Sequence, residues 1–203
     1  MIEKGTLGDY LSTLASKKST PGGGAVAGVC GAQAAALIAM VGRLTRGNPA
    51  GLETAIDSAI DAQQRFLDLA DNDMQCFEEV MSAWRLPADS DDEKARRQAA
   101  LQTALKAAAS VPLDMIRLTG ELLPSLALLV ESGNRNLITD VGIAAHLCES
   151  VLQSSRLNVL INLKSIEDSQ FIADSHRQLE TIEEQVEAIT AINKNVETIL
   201  TEE

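Results

Sequence analysis

A chain of 203 residues suits one domain or at most two small ones. Seventeen Lys and Arg against twenty-nine Asp and Glu leave a formal charge of −12, which argues against nucleic acid as a partner, while 45% hydrophobic residues exclude wholesale disorder. Aromatic residues make up only 2%, so a β-sandwich or barrel is disfavoured and helices packed through Ala, Leu and Ile are expected. From Gly5 to Ser16, Leu7, Tyr10, Leu11 and Leu14 recur at helical spacing. Ser19 to Gly24 reads as a loop, and Ala25 to Leu44 as a helix of small residues that Arg46-Gly47-Asn48-Pro49 terminates. A long periodic run follows from Leu52 to Trp84, and Pro87 stops it. Asp89-Ser90-Asp91-Asp92-Glu93 marks a helix start, because caps and carboxylates meet unpaired N–H groups there. That helix runs to about Glu131, with kinks or short breaks expected at Pro112 and Pro124. Gly133 to Asn136 is a loop, Ile138 to Leu163 a further helix, and Ser169 to Leu200 a last one with heptad-like apolar spacing. Residues 1–203 thus read as a single all-α domain, a bundle of long antiparallel helices.

Two features bear on compartment. Cys30, Cys76 and Cys148 lie far apart in apolar runs without CxxC spacing, so buried reduced thiols in a cytoplasmic protein are expected, not disulfides or a zinc site. The first residues carry no basic-then-apolar pattern of a signal peptide. Gly22 to Gly42 holds no charge and approaches the length of a membrane span. Gly and Ala, which dominate it, contribute little transfer energy to lipid, so a buried helix is expected and no membrane partner.

The most specific local feature is Thr20-Pro21-Gly22-Gly23-Gly24 opening directly into a helix. Glycines let backbone N–H groups converge on an anion or a polar ligand edge, through positive φ or close approach. No Lys follows, so this is not a nucleotide phosphate loop. In the helix after it, Gly24, Gly28, Gly31, Ala32, Ala35 and Ala39 recur every three or four residues, a pattern that admits a close neighbour, either in the core or across a subunit interface.

This segment resembles the cyclodeaminase/cyclohydrolase family of folate one-carbon enzymes. The resemblance continues through Asp73-Met74-Gln75-Cys76-Phe77, with Cys76 where the family carries Ala, and through Lys106 and Val111-Pro112-Leu113. It extends over Gly133-Asn134-Arg135-Asn136, Thr139-Asp140-Val141-Gly142 and Asn158 to Lys164. It implies an all-helical homodimer acting on a tetrahydrofolate derivative without metal or redox cofactor. One reaction of the family adds water to the bridging carbon of methenyltetrahydrofolate. The other closes a formimino group onto N10 with loss of ammonia. Both pass through a tetrahedral carbon and need a proton carrier.

Within that resemblance the expected catalytic residues are Asp73, Asp140 and Lys106. Asp73 shares a helix stripe with Phe77, Val80 and Trp84, and a carboxylate on an apolar stripe is either paired or functional. Asp140 falls in a helix first turn, where it either caps or serves a site. Lys106 sits among Leu and Ala, where partial desolvation lowers a lysine's pKa. Thr20, Gly22, Gly23, Gly24, Asn136, Asn158 and Asn162 are the expected substrate-binding residues, and Arg43, Arg46 and Lys164 are candidates for gathering a glutamate tail. Asp140 and Asn158 lie eighteen residues apart on one helix, about 27 Å, so they cannot touch the same reacting carbon from one chain. Two other classes compete. A helical interaction module would use the C-terminal heptad stripe. A di-iron bundle lacks its Glu-x-x-His pairs, since His146 and His176 have no Glu three residues before them.

Overall fold

The computed structural model describes residues 2–202. Six α-helices follow one another: α1 (Leu7–Leu14), α2 (Gly23–Arg43), α3 (Leu52–Trp84), α4 (Asp91–Ser132), α5 (Ile138–Leu163) and α6 (Ser169–Thr201). Short 3-10 turns occupy Ile2–Lys4 and Arg135–Leu137, and no strand occurs among the described residues. Three helices, α1, α4 and α6, start at a side-chain cap. Thr6 accepts from the Asp9 N–H, Asp168 from the Phe171 N–H, and Ser90 forms a reciprocal capping box with Glu93. Left-handed Gly47 and Gly51 (φ 84° and 85°), where a side chain would be strained, turn the chain from α2 into α3.

Short connections make successive helices antiparallel. Arg65 of α3 reaches Glu121 of α4, Ser155 of α5 reaches Met115 of α4, and Gly23 at the start of α2 lies beside Asn158 near the end of α5. The core is aliphatic. Ile38, Met115, Ile116, Leu118, Leu122, Leu126, Leu152 and Ile189 are shut off from solvent around a single buried phenylalanine, Phe66.

The small residues of α2 are used inside the chain. A Cβ on Gly28 would strike Ala70 and the Phe66 carbonyl oxygen, one on Gly31 the Phe66 ring, and one on Gly42 the Ile56 side chain. Core packing therefore accounts for the pattern, and a subunit interface through this Gly/Ala face is overturned, because α3 already covers it. The same packing explains why α2 passes a length-and-composition test for a membrane span while 61% of its apolar window lies buried within the molecule.

Two further expectations are corrected. Of the kinks or short breaks expected at Pro112 and Pro124, the breaks do not occur: α4 runs without interruption for 42 residues. Each proline forfeits one helical hydrogen bond, and the buried face formed by Leu113, Met115, Ile116, Leu118, Leu122 and Leu126 outweighs that loss. The heptad stripe of α6 is not a free partner surface. Leu179, Ile182, Ile189, Ile192 and Val196 are buried, and α6 packs on α4 and α5. The interaction-module reading loses the surface it required.

Candidate functional site

The helix starts at Gly23, two residues earlier than its periodicity indicates, with Gly22 as the cap position. Gly22 offers no side chain, so the first N–H groups of α2 lack a local acceptor. Asp73 supplies one from α3: its carboxylate accepts from the Ala25 N–H. Gly24 is what lets it in. A Cβ on Gly24 would coincide with the Asp73 carboxylate. None of Gly22, Gly23 and Gly24 adopts positive φ, so the triple glycine serves close approach rather than backbone strain. The Thr20–Pro21 peptide that precedes them is cis.

Asp73 is partly buried, and burial pushes its carboxyl above the usual carboxylate range. The Ala25 N–H works in the opposite direction and does not cancel this. The result is a carboxyl that holds a proton more readily than an exposed one, at a helix N-terminus. The stripe expected to carry Asp73 is corrected in part. Phe77 and Trp84 are 38% and 57% exposed, and α3 turns Ala70, Cys76 and Ala83 inward instead. Trp84 takes the Arg97 guanidinium over its ring at 5.9 Å. Phe77, one turn after Asp73, remains an exposed apolar wall.

Asn158 joins this cluster. Its Oδ1 lies 3.9 Å from the position a Cβ on Gly23 would take. Asn162 does not reach across to another helix. Its Nδ2 donates back to the Asn158 backbone carbonyl at 2.9 Å and so shapes the end of α5. Thr20 and Gly22 flank the same turn, half-buried.

Lys106 has a different setting from the apolar one its sequence neighbours indicate. Its Nζ pairs with Asp168 Oδ2 at 3.2 Å, and both side chains are more than a third exposed. Asp168 caps α6, and the Phe171 N–H and then Lys106 hold its carboxyl below the usual range. Together with Gln102, whose Nε2 donates to the Ser165 carbonyl, this pair braces α4 against the α5–α6 connection.

Asn136 and Asp140 occupy the opposite end of the bundle. Asn136 stands in the turn before α5, where its N–H donates to Asn134 Oδ1. Asn134 is tied to the end of α2 through the Leu44 carbonyl and Thr45 Oγ1. A pocket of about 580 Å³ there gathers Arg43, Arg46, Asn134 and Asn136. Two of the three cations expected to gather a glutamate tail are thus brought together, and Lys164, just past the far end of α5, is separated from them. Asp140 lies in the first turn of α5, whose cap position, Leu137, has no side-chain acceptor. One chain therefore carries two clusters: Gly23, Gly24, Asp73 and Asn158 at one end, and Arg43, Arg46 and Asn136 at the other.

One residue escaped the sequence reading. Tyr10, the sole tyrosine, was assigned only to the apolar face of α1 by its spacing. Its hydroxyl is buried without a hydrogen-bond partner among the described residues, in a pocket that also includes Pro21 and Met74, the chain neighbours of Gly22 and Asp73. Burial, then Cys30, pushes this phenol up. Its uniqueness just upstream of the glycine turn was the available signal. Among the described residues no group of three or more His, Cys, Asp and Glu is assembled to hold a metal ion.

Comparison with known proteins agrees with this architecture. The family model for formiminotransferase-cyclodeaminase matches residues 6–181. The chain is 36% identical over 181 residues to a methenyltetrahydrofolate cyclohydrolase of Methylorubrum extorquens, covering 86% of this chain and 87% of that protein. It is 32% identical over 189 residues to the formimidoyltransferase-cyclodeaminase of Sus scrofa, covering 90% of this chain but 35% of that longer protein. The crystal structure of a formiminotetrahydrofolate cyclodeaminase from Thermotoga maritima superposes with a TM-score of 0.87 at 39% identity, over 98% of this chain and 100% of that one. A shared fold, a matched sequence from the first helix into the last and identity above 30% lead to one conclusion: the chain belongs to the formiminotransferase-cyclodeaminase family.

Proposed function

We propose that the protein is a folate one-carbon hydrolase, a cytoplasmic homodimer that converts 5,10-methenyltetrahydrofolate to 10-formyltetrahydrofolate. The observation that carries this reading is the Asp73 carboxyl, kept easily protonated by burial and seated against Gly24 at the start of α2. Likeness to a cyclohydrolase over most of both chains supports hydrolysis, and likeness to a cyclodeaminase of Thermotoga maritima over nearly the whole of both chains keeps deamination beside it.

The chemistry follows from the charge on the substrate. The carbon between N5 and N10 belongs to a cationic amidine, so water adds to it once a base removes a proton. Asp73 takes that proton, and the hydroxyl bonds to carbon to give a tetrahedral intermediate. Asp73 then returns the proton to N5 as the carbon–N5 bond breaks. The hydroxyl loses its proton to solvent as its oxygen becomes the carbonyl of the formyl group that remains on N10, so one proton is released overall. The carboxylate also stabilises the cationic ring before attack. The unpaired N–H groups at the start of α2 and the Asn158 amide offer hydrogen bonds to polar edges of the pterin. Phe77 offers an apolar surface for the ring. Asn136 and Asp140 act at the same ligand only if a second subunit brings them there, and Arg43 and Arg46 gather the glutamate tail. No metal or redox group is required by these steps.

Deamination of a formimino group is the second reading. The relatives named for it share the fold, and the same carboxyl serves there to protonate departing ammonia. The test is spectroscopic. Purified protein added to methenyltetrahydrofolate should abolish the methenyl absorbance far faster than buffer, and Asp73→Asn should lose that effect. Appearance of the band from formiminotetrahydrofolate would support deamination instead. Inertness toward both compounds overturns the assignment.

A further inference from the structure

The outer face of α5 carries an apolar stripe that the bundle leaves uncovered. Ile143, Leu157 and Ile161 are 50%, 67% and 60% exposed, on a helix that buries Val141, Ala144, Cys148, Val151, Leu152 and Val159 on its opposite side. With Leu147, half-buried, they fall on one line, and Ser150 and Ser154 fill the positions between. Extended by one step at each end, the line reads Asp140, Ile143, Leu147, Ser150, Ser154, Leu157, Ile161, Lys164, at alternating steps of three and four residues.

This order is the same from either direction. Isoleucines stand outermost, leucines next and serines innermost, symmetric about Leu152 in both residue type and spacing. Only the two ends differ, and there they are of opposite charge. A helix with such a face is complementary to itself turned end for end. We infer that α5 is the dimer interface, pairing antiparallel with α5 of a second copy about a two-fold axis at the level of Leu152. Ile143 then packs on Ile161 of the partner subunit and Leu147 on Leu157 of the partner subunit. Ser150 meets Ser154 of the partner subunit, where small side chains allow the helices to approach. Asp140 comes level with Lys164 of the partner subunit, an attraction that occurs twice by symmetry and that a parallel arrangement would turn into two like-charge pairs. The steps of three and four residues are those of helices that pack lengthwise. On the neighbouring helix α2, Gln33 is exposed and Val26 and Met40 are only partly covered.

The inference rests on the homodimer reading above and gives it a register. It also resolves the separation of the two clusters. Within one chain the two ends of α5 lie about 27 Å apart from Asp140 to Asn158. Across this interface the Asp140 end of one subunit lies alongside the Lys164 end of the other. Each Asp73–Asn158 cluster thereby gains the Asn136 end of the partner as a neighbour, and two composite sites form.

Cysteine cross-linking of the full chain tests the register. Ile143→Cys with Ile161→Cys in one chain should give a covalent dimer under mild oxidation, because these two positions meet only between subunits. Each single variant should show no more than the unsubstituted protein, since like positions would lie at opposite ends of the interface. Both sites are exposed within one chain, so folding is retained, and circular dichroism checks it. In sedimentation the unsubstituted protein should be a dimer. Ile143→Lys or Ile161→Asp alone should raise the dimer dissociation constant by about a hundredfold or more, and the two together should restore much of it. A monomeric unsubstituted protein, a double-cysteine variant that fails to cross-link, or single variants that cross-link equally well would overturn the inference. Activity measured on the same samples is a separate readout, so loss of the register does not count as loss of the proposed reaction.

Discussion

Gly24→Ala separates the positioning of Asp73 from the stability of the fold. The new Cβ would land on the Asp73 carboxylate, with Oδ2 only 2.6 Å away. Oδ1 and Cγ lie still nearer, so the carboxyl must swing away and give up the Ala25 N–H. A hydrogen bond to a charged group contributes about 1.5–3 kcal/mol. Alanine in place of glycine inside a helix returns about 1 kcal/mol, somewhat less in the first turn. Release of the carboxyl from burial, the larger influence on its pKa, offsets part of the rest, so the net loss stays below about 1 kcal/mol and lowers Tm by less than about 2–4 °C in a chain of this size. The catalytic loss is larger. A positioned general acid–base contributes about 10²–10⁴-fold, so turnover of methenyltetrahydrofolate should fall at least about a hundredfold in a protein that remains folded at assay temperature. The assay is the decay of methenyl absorbance beside a thermal melt of the same sample. Combining Gly24→Ala with Asp73→Asn should cost little more than either alone, because both act through one carboxyl. A folded Gly24→Ala protein of normal kcat would refute the placement of Asp73 at the reacting carbon.

The folded-state pKa of Asp73 lies above its unfolded value, so the native state holds a proton that the unfolded state has lost, and stability falls as pH rises between the two. Asp73→Asn should therefore be more stable than the unsubstituted protein in urea at neutral pH, with the gap closing near pH 4, around the ordinary carboxylate value; a gap that widens on acidification contradicts this. Gly31→Ala should act in the opposite sense to Gly24→Ala: its Cβ meets the fully buried Phe66 ring, so overpacking of about 1–3 kcal/mol should appear in the melt while kcat of the folded fraction holds. Burial pushes the Cys148 thiol up to about 12, so a thiol reagent should leave it unlabelled in the native protein and reach it only on unfolding, as peptide mapping would show.

Helix positions were legible because the signals for them are local. Ser90 and Glu93 are close in sequence, the Gly47-to-Gly51 turn is written in its glycines, and apolar periodicity marks α3 and α6 along their own length. The family motifs were legible for the same reason, as short ordered strings. The uninterrupted α4 was not, because a proline's local cost is visible in sequence whereas the burial that overrides it depends on neighbouring helices. Lys106 shows the same limit from the other side. Its apolar chain neighbours indicate desolvation, but they occupy other faces of the helix, and its partner Asp168 comes from a connection sixty-two residues away.

The sequence alone determined an acidic, all-helical chain with a glycine turn, an aspartate and an asparagine-bearing helix in the order of a folate enzyme family. Tertiary structure decided what these residues do to one another. It made Asp73 the missing cap of α2, put the triple glycine to use as room for a carboxylate, and carried Asn136 and Asp140 to the far end of the bundle. Periodicity states which face of a helix is covered, but the identity of the covering residue is set by packing between segments distant in the chain, and the burial that raises the Asp73 pKa exists only once they meet.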